Sequence, residues 1–162
     1  PYEEQFASIS YGLPLLSADA DYQQMVGIIT EATAEYDVEG TAIVWMGHGT
    51  HHEANATYAK LQQMITDAGY ARYFIGTVEA EPSLADVMAM VEQSGASRVV
   101  LLPLMIVAGD HASNDMAGDE EDSWKTVFKA EGYEVVTVLR GLGEYPGIQA
   151  MFVEHIGDAI AE

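Results

Sequence analysis

The chain has 162 residues, 49% of them hydrophobic, which is enough for one domain with a proper core, and a 20% charged fraction too low for a disordered chain. Its 26 acids against 6 bases give a net charge of -20, which excludes a nucleic-acid or anionic-membrane surface, because binding phosphates needs a dense Lys/Arg face; a solvated acidic surface and the attraction of cations are what such a balance suits. With no cysteine, disulfides, thiolate ligands and cysteine nucleophiles are out, and any metal must be held by His, Asp or Glu.

No apolar run approaches the ~20 residues that cross a bilayer, and no basic-then-apolar leader opens the chain. A cytoplasmic protein is expected, with a periplasmic one left open because the sequence begins at Pro1 without an initiator Met. In chain order, "FASISYGLPLL" (6–16) has the composition of a strand, and "SADADYQQMVGIITEATAEY" (17–36) reads as a helix capped by Ser17 or Asp19. Residues 1–36 are therefore expected to lead in, as a strand and a helix, from a preceding half absent from this chain, with an α/β domain over 37–162.

"TAIVWMG" (41–47), "YFIGTVEA" (73–80), "SRVVLLPLMIV" (97–107) and "EVVTVLRG" (134–141) are short apolar runs rich in strand formers. Between the first two, "NATYAKLQQMITDAGY" predicts a helix burying Tyr58, Leu61, Met64 or Ile65, and Ala68, and stopping near Gly69. "SLADVMAMVEQSGA" predicts another, capped by Ser83, burying Leu84, Val87, Met88 and Val91, and ended by Gly95. "YPGIQAMFVEHIGDAIAE" closes the chain with Ile148, Met151, Phe152, His155, Ile156 and Ala159 at helical spacing. Continuous apolar strands alternating with helices define βαβ units: an α/β fold with a parallel sheet flanked by helices on both faces.

In such a sheet, ligands bind beyond the carboxyl ends of the strands. The first strand runs into Gly47-His48-Gly49-Thr50-His51-His52, the second into Val78-Glu79-Ala80-Glu81, the third into Gly109-Asp110-His111. Neighbouring parallel strands lie about 4.8 Å apart, so His48, Glu79 and His111 are placed to converge on one ion, with Glu81 as the positional rival of Glu79. Two imidazoles and a carboxylate suit a divalent cobalt, nickel, iron or zinc ion and leave coordination positions open. His155, on the interior face of the last helix, reads as a structural histidine. No G-x-x-x-x-G-K-[ST], no G-x-G-x-x-G after a strand and no G-x-S-x-G occurs, so a phosphate cradle and a serine nucleophile elbow are both missing.

"MGHGTHH", "GTVEAEP", "LPLMIVAGDHASNDMAGDEEDSWK" and "GLGEYPGIQAMFVEH" together resemble the anaerobic-pathway sirohydrochlorin cobalt chelatases, the class II chelatases of cobalamin and sirohaem synthesis. The likeness covers nearly the whole chain. It implies a fold of two similar α/β halves with the active site between them, of which this chain resembles the C-terminal one. The N-terminal half would then be supplied in cis or in trans, a homo-oligomer being one arrangement.

The resemblance implies ATP-independent insertion of cobalt(II), a co-substrate, into a sirohydrochlorin-type tetrapyrrole, with no nucleotide cofactor. His48, Glu79 and His111 would be its metal ligands, with His48 and His111 also catalytic. His51, His52 and Asp110 are candidates for a place beside the metal or facing the substrate, although the paired histidines sit one residue closer to the GHG turn than in the family. Alternatives are an iron or nickel chelatase of sirohaem-type pathways, or a non-catalytic metal- or tetrapyrrole-binding protein. A polycarboxylated macrocycle approaching a chain of charge -20 requires local compensation, for which Lys60, Arg72, Arg98, Lys125, Lys129 and Arg140 are available.

Overall fold

In the computed structural model, residues 5–161 are described; the first four residues of the expected lead-in unit, and residue 162 of the expected domain, lie outside them. The elements in chain order are α1 (Asp19–Ala32), β1 (Thr41–Gly47), α2 (Ala56–Asp67), β2 (Tyr73–Thr77), α3 (Leu84–Ser94), β3 (Arg98–Pro103), α4 (Trp124–Ala130), β4 (Glu134–Thr137) and α5 (Pro146–Ala161). The strands form one parallel sheet in the order β2-β1-β3-β4. Every residue of central β1 and of edge strand β2 is buried, as parallel strands are when helices cover both faces of the sheet.

The alternation along β1 divides the core. Ile43 and Trp45 join Ile75, Val100 and Leu102 under α1, α2 and α5, where Met25, Ile29, Leu61, Ile65, Ile148 and Met151 are buried. Ala42, Val44 and Met46 face the other way, onto Val87 and Val91 of α3 and onto Trp124 and Phe128 of α4. The α/β fold with helices on both faces is therefore present as the sequence predicts. No helix among the described residues is long and apolar enough to cross a membrane.

Two ladders stop earlier than expected. β2 ends as a regular strand at Thr77, whose amide N–H donates to Pro82 O at 2.7 Å across a turn, while the amides of Val78 and Glu79 still bond the β1 side. β3 ends at Pro103, which has no N–H; beyond it, the carbonyls of Met105 and Ile106 accept from Leu142 and Gly143 amides.

The strand expected within 6–16 does not form. This segment lies along α5 rather than at a sheet edge, with Gly12 packed against the His155 carbonyl and Leu13 O accepting from the His155 ring. The helix that follows is shorter than 17–36, and its N-cap is Ala18 rather than Ser17 or Asp19. Asp21 performs the capping from inside the first turn, its carboxylate accepting from the amides of Ser17 (2.8 Å) and Ala18 (3.0 Å).

Ser83 and Gly95 cap α3 as predicted, Gly95 in the left-handed conformation at φ 71. On α2 it is Ile65 that is buried, while Met64 is partly covered and Ala68 is exposed. On α5 only Ile148 and Met151 are buried. Phe152 and Ile156 are exposed because α1 and the 12–13 segment cover only one side of the helix past its second turn.

Candidate metal centre

The three strand ends bring His48, Glu79 and His111 together, with one ligand atom from each lying within 4.8 Å of the others. The sheet order is responsible: β1 lies between β2 and β3, so the residues following the three strands share one patch of its rim. His48 and Glu79 are exposed and His111 is half-buried, so an ion held there would keep an open side.

Backbone bonds carry this placement. The amides of Val78 and Glu79 donate to Gly47 O (3.0 Å) and His48 O (2.9 Å), continuing the β1–β2 pairing through the turns. Gly49 is required at its position: its φ is +84, and a Cβ there would meet Ala80 N and Thr77 Cβ at 2.9 Å. Gly47 is required for a different reason, since Tyr58 of α2 fills the space where its side chain would stand, 2.2 Å from a Cβ. The Tyr58 hydroxyl in turn accepts from the Gly49 amide at 3.2 Å. Asn55 fastens the same loop to its neighbour, accepting from the Thr50 amide (3.0 Å) and donating to Glu81 O (2.6 Å).

Hydrogen bonding sets the imidazole tautomers. His48 Nδ1 lies 2.8 Å from Gly49 O, a carbonyl that can only accept, so Nδ1 carries a proton and Nε2 is the nitrogen left for a ligand. His111 Nδ1 is 2.5 Å from the Asp115 carboxylate, which likewise turns Nε2 outward. A carboxylate behind a ligating histidine is a recurrent way to orient the ring and raise its basicity. Both residues lie in the π-helical turn His111–Met116, and as an i, i+4 pair they share one of its faces.

The remaining candidates stand outside the trio. His52 caps the short helix Glu53–Asn55, its Nδ1 accepting from the Ala54 amide at 3.1 Å; His51 and Asp110 are exposed. Glu81, the rival of Glu79, is engaged at the start of α3, where its carboxylate accepts from the Ser83 amide at 3.0 Å. Beside it, the hydroxyl of Ser83 holds the Asp86 carboxyl down to about 2.

His155 is structural in its contacts: Nδ1 donates to Leu13 O at 2.7 Å and Nε2 to Asp21 at 3.2 Å. Sequence reasoning missed Asn55, and read Tyr58 only as core. The signal available was position, since both fall in the segment that carries the chain from the GHG turn into α2.

Two imidazoles and a carboxylate gathered in a half-open site at the carboxyl edge of a doubly covered parallel sheet give this α/β protein a donor set that a divalent ion could occupy. The family model described as Cobalt chelatase (CbiK) matches residues 1–161, and the chain belongs to that family. It is 41% identical over 155 residues to a sirohydrochlorin cobaltochelatase of Salmonella typhimurium, covering 96% of this chain and 58% of that protein. It is 31% identical over 159 residues to the sirohydrochlorin cobaltochelatase CbiKC of Nitratidesulfovibrio vulgaris, covering 98% of this chain and 56% of that one. The chain thus spans little more than half the length of these relatives. Among solved structures, a protein of Marinobacter aquaeolei VT8 described as a CbiX protein of cobalamin (vitamin B12) biosynthesis shares the fold, with a TM-score of 0.59 at 16% identity, over 75% of this chain and 95% of that one.

Proposed function

We propose that this chain carries the metal-inserting site of a sirohydrochlorin cobaltochelatase, in which cobalt(II) is a substrate held by His48 Nε2, His111 Nε2 and the Glu79 carboxylate. The observation that carries the reading is the convergence of one ligand atom from each of these three groups; with each Nδ1 facing an oxygen, Nε2 is the nitrogen we assign to the ion. Relatives named for this activity support the choice of metal and macrocycle. Because they are longer, we further propose that a second half, the N-terminal one, joins this chain in cis or in trans to complete the cleft, with residues 1–36 leading in from it.

Insertion exchanges two pyrrole N–H protons for one divalent ion: the macrocycle nitrogens bond the metal as the protein ligands release it, and two protons leave. Both Nδ1 atoms already donate, so neither can accept a proton. A pyrrole proton is therefore taken by the Glu79 carboxylate, or by an Nε2 once the metal has left it, because one nitrogen cannot be ligand and base at once. No nucleotide takes part in this scheme; the exchange is driven by the macrocycle's affinity for the ion. His51, His52 and Asp110, exposed in the same loops, are the residues we propose to face substrate.

The test is the absorbance change on adding cobalt(II), nickel(II) or iron(II) to metal-free sirohydrochlorin with the full-length protein. Cobalt insertion that disappears in the His48→Ala/His111→Ala double variant is expected. Full activity in that variant would place the site elsewhere, and tight cobalt binding with no spectral change in the macrocycle would make the protein a carrier.

A further inference from the structure

The rim of the sheet beside the metal centre has an unused surface. After β3 the chain presents Ile106 and Val107 to solvent, 44% and 72% exposed, and after β4 it presents Leu139, 51% exposed. These belong to two neighbouring loops that touch backbone to backbone. The Leu142 and Gly143 amides donate to Met105 O (2.7 Å) and Ile106 O (2.9 Å), and Gly141 has no room for a Cβ against Ile106 O (2.5 Å) or Ala108 N (2.8 Å). The first loop runs directly into His111. An apolar ledge fixed this firmly, and continuous with a metal site, is costly to leave in water unless something flat and apolar covers it.

Arg140 follows Leu139 at the same rim. Its guanidinium lies 4.0 Å over the Tyr145 ring and donates from Nη2 to Glu144 O at 2.9 Å, while the Glu144 carboxylate is turned to the Gly141 amide. Of the other five cations, Lys60, Arg72, Arg98 and Lys125 are each in an ion pair with an Asp or Glu. Lys129 lies in the last turn of α4, at the opposite edge of the sheet from the metal centre. Among the described residues, Arg140 is therefore the cation at the strand-end rim without a carboxylate partner. In a chain of net charge -20, that is where an incoming polyanion meets the least repulsion.

We infer that Ile106, Val107 and Leu139 form a docking ledge for the apolar ring of a carboxylated tetrapyrrole, and that Arg140 pairs with one of its peripheral carboxylates. This rests on the chelatase reading and adds to it the residues that seat the macrocycle. The ring brings what the ledge lacks, a flat apolar face, and its carboxylates bring what Arg140 lacks, a bidentate acceptor. All four side chains are exposed, so changing them leaves the core intact.

The experiment compares Val107→Asp, Leu139→Asp and Arg140→Gln with the wild type in the full-length protein. Binding of metal-free sirohydrochlorin is followed by its fluorescence at several salt concentrations, and cobalt(II) binding is measured by direct titration without the macrocycle. Each variant is expected to bind the macrocycle about tenfold or more weakly, as loss of a charge-assisted bond or of an apolar seat implies. Arg140→Gln is also expected to flatten the salt dependence, and all three should keep wild-type cobalt affinity. Wild-type macrocycle affinity in all three variants overturns the ledge while leaving the chelatase reading intact. A wild-type protein that binds cobalt and no macrocycle overturns that reading, and the ledge with it.

Discussion

The rings of His48 and His111 stand edge to face, their centroids 4.6 Å apart and their planes at 86°, although they come from loops that follow different strands, β1 and β3. Each ring is fixed from behind by a different acceptor: a backbone carbonyl for His48, the Asp115 carboxylate for His111. The pair is thus preorganised by bonds that an ion would not need to make.

The Asp115 contact gives the first prediction. Asp115→Ala removes the acceptor that orients His111 and is expected to weaken cobalt binding about 10–100-fold. Asp115→Asn keeps an oxygen that can accept from Nδ1 and is expected to lose less. Direct metal titration of both variants separates this positioning role from folding, since Asp115 is only half-buried and the unfolding midpoint should move little. Equal losses in the two variants would count against it.

A second prediction concerns the GHG turn. In Gly47→Ala the new methyl collides with the Tyr58 ring, and moving that ring breaks its bond to the Gly49 amide. The expected cost is about 1–3 kcal/mol, typical of overpacking, together with weakened cobalt binding. In a Tyr58→Ala background the space is vacated, so the same substitution should cost less. Strict additivity in a denaturant-unfolding cycle would show that the two residues do not meet.

The third prediction is a pH window for stability set by the His155–Asp21 pair. Donation to Leu13 O, then to the Asp21 carboxylate, raises His155 above its ordinary 6.5, against the opposing effect of burial and with help from nearby Glu154. For Asp21, burial acts upward, but the Ala18 amide, His155 and the Ser17 amide outweigh it and lower the carboxyl below 3.8. A raised histidine stabilises fully below its unfolded value and loses that contribution as pH rises through its folded one. A lowered aspartate stabilises above its unfolded value and loses it as pH falls through its folded one. The stability advantage of wild type over His155→Ala is therefore expected to be greatest between pH 3.8 and 6.5 and to shrink on both sides. Urea unfolding across pH measures it, and a flat difference would rule out the His155–Asp21 pair as its source. Asp158 lines the same cavity, so an Asp158→Asn control separates its charge from that of Asp21.

Much of this molecule is legible in its residues. β1 was readable end to end because Thr41–Gly47 is one apolar run closed by glycine, and α3 because Ser83 and Gly95 are strong caps at both ends. The segment 6–16 was misread, since an extended chain packed on a helix and a strand in a ladder have the same composition. The N-cap of α1 was misread because Asp21 does from position N3 what Ser17 or Asp19 would do from the cap. Glu79 and Glu81 are inseparable by position in the sequence; the convergence of Glu79 with the two histidines and the engagement of Glu81 with the Ser83 amide distinguish them.

The sequence by itself determined the class of fold, the absence of thiol chemistry, and the residues with ligating capacity at the strand ends, because apolar periodicity and residue type are local properties. Tertiary structure alone decided that β1 lies between β2 and β3, which puts three of those residues within reach of one ion. It also decided that residues 111–116 wind into a helical turn in which Asp115 bonds His111, and that Arg140 reaches the rim without a carboxylate. These are questions of strand order, helix winding and long-range proximity, which depend on how distant segments pack.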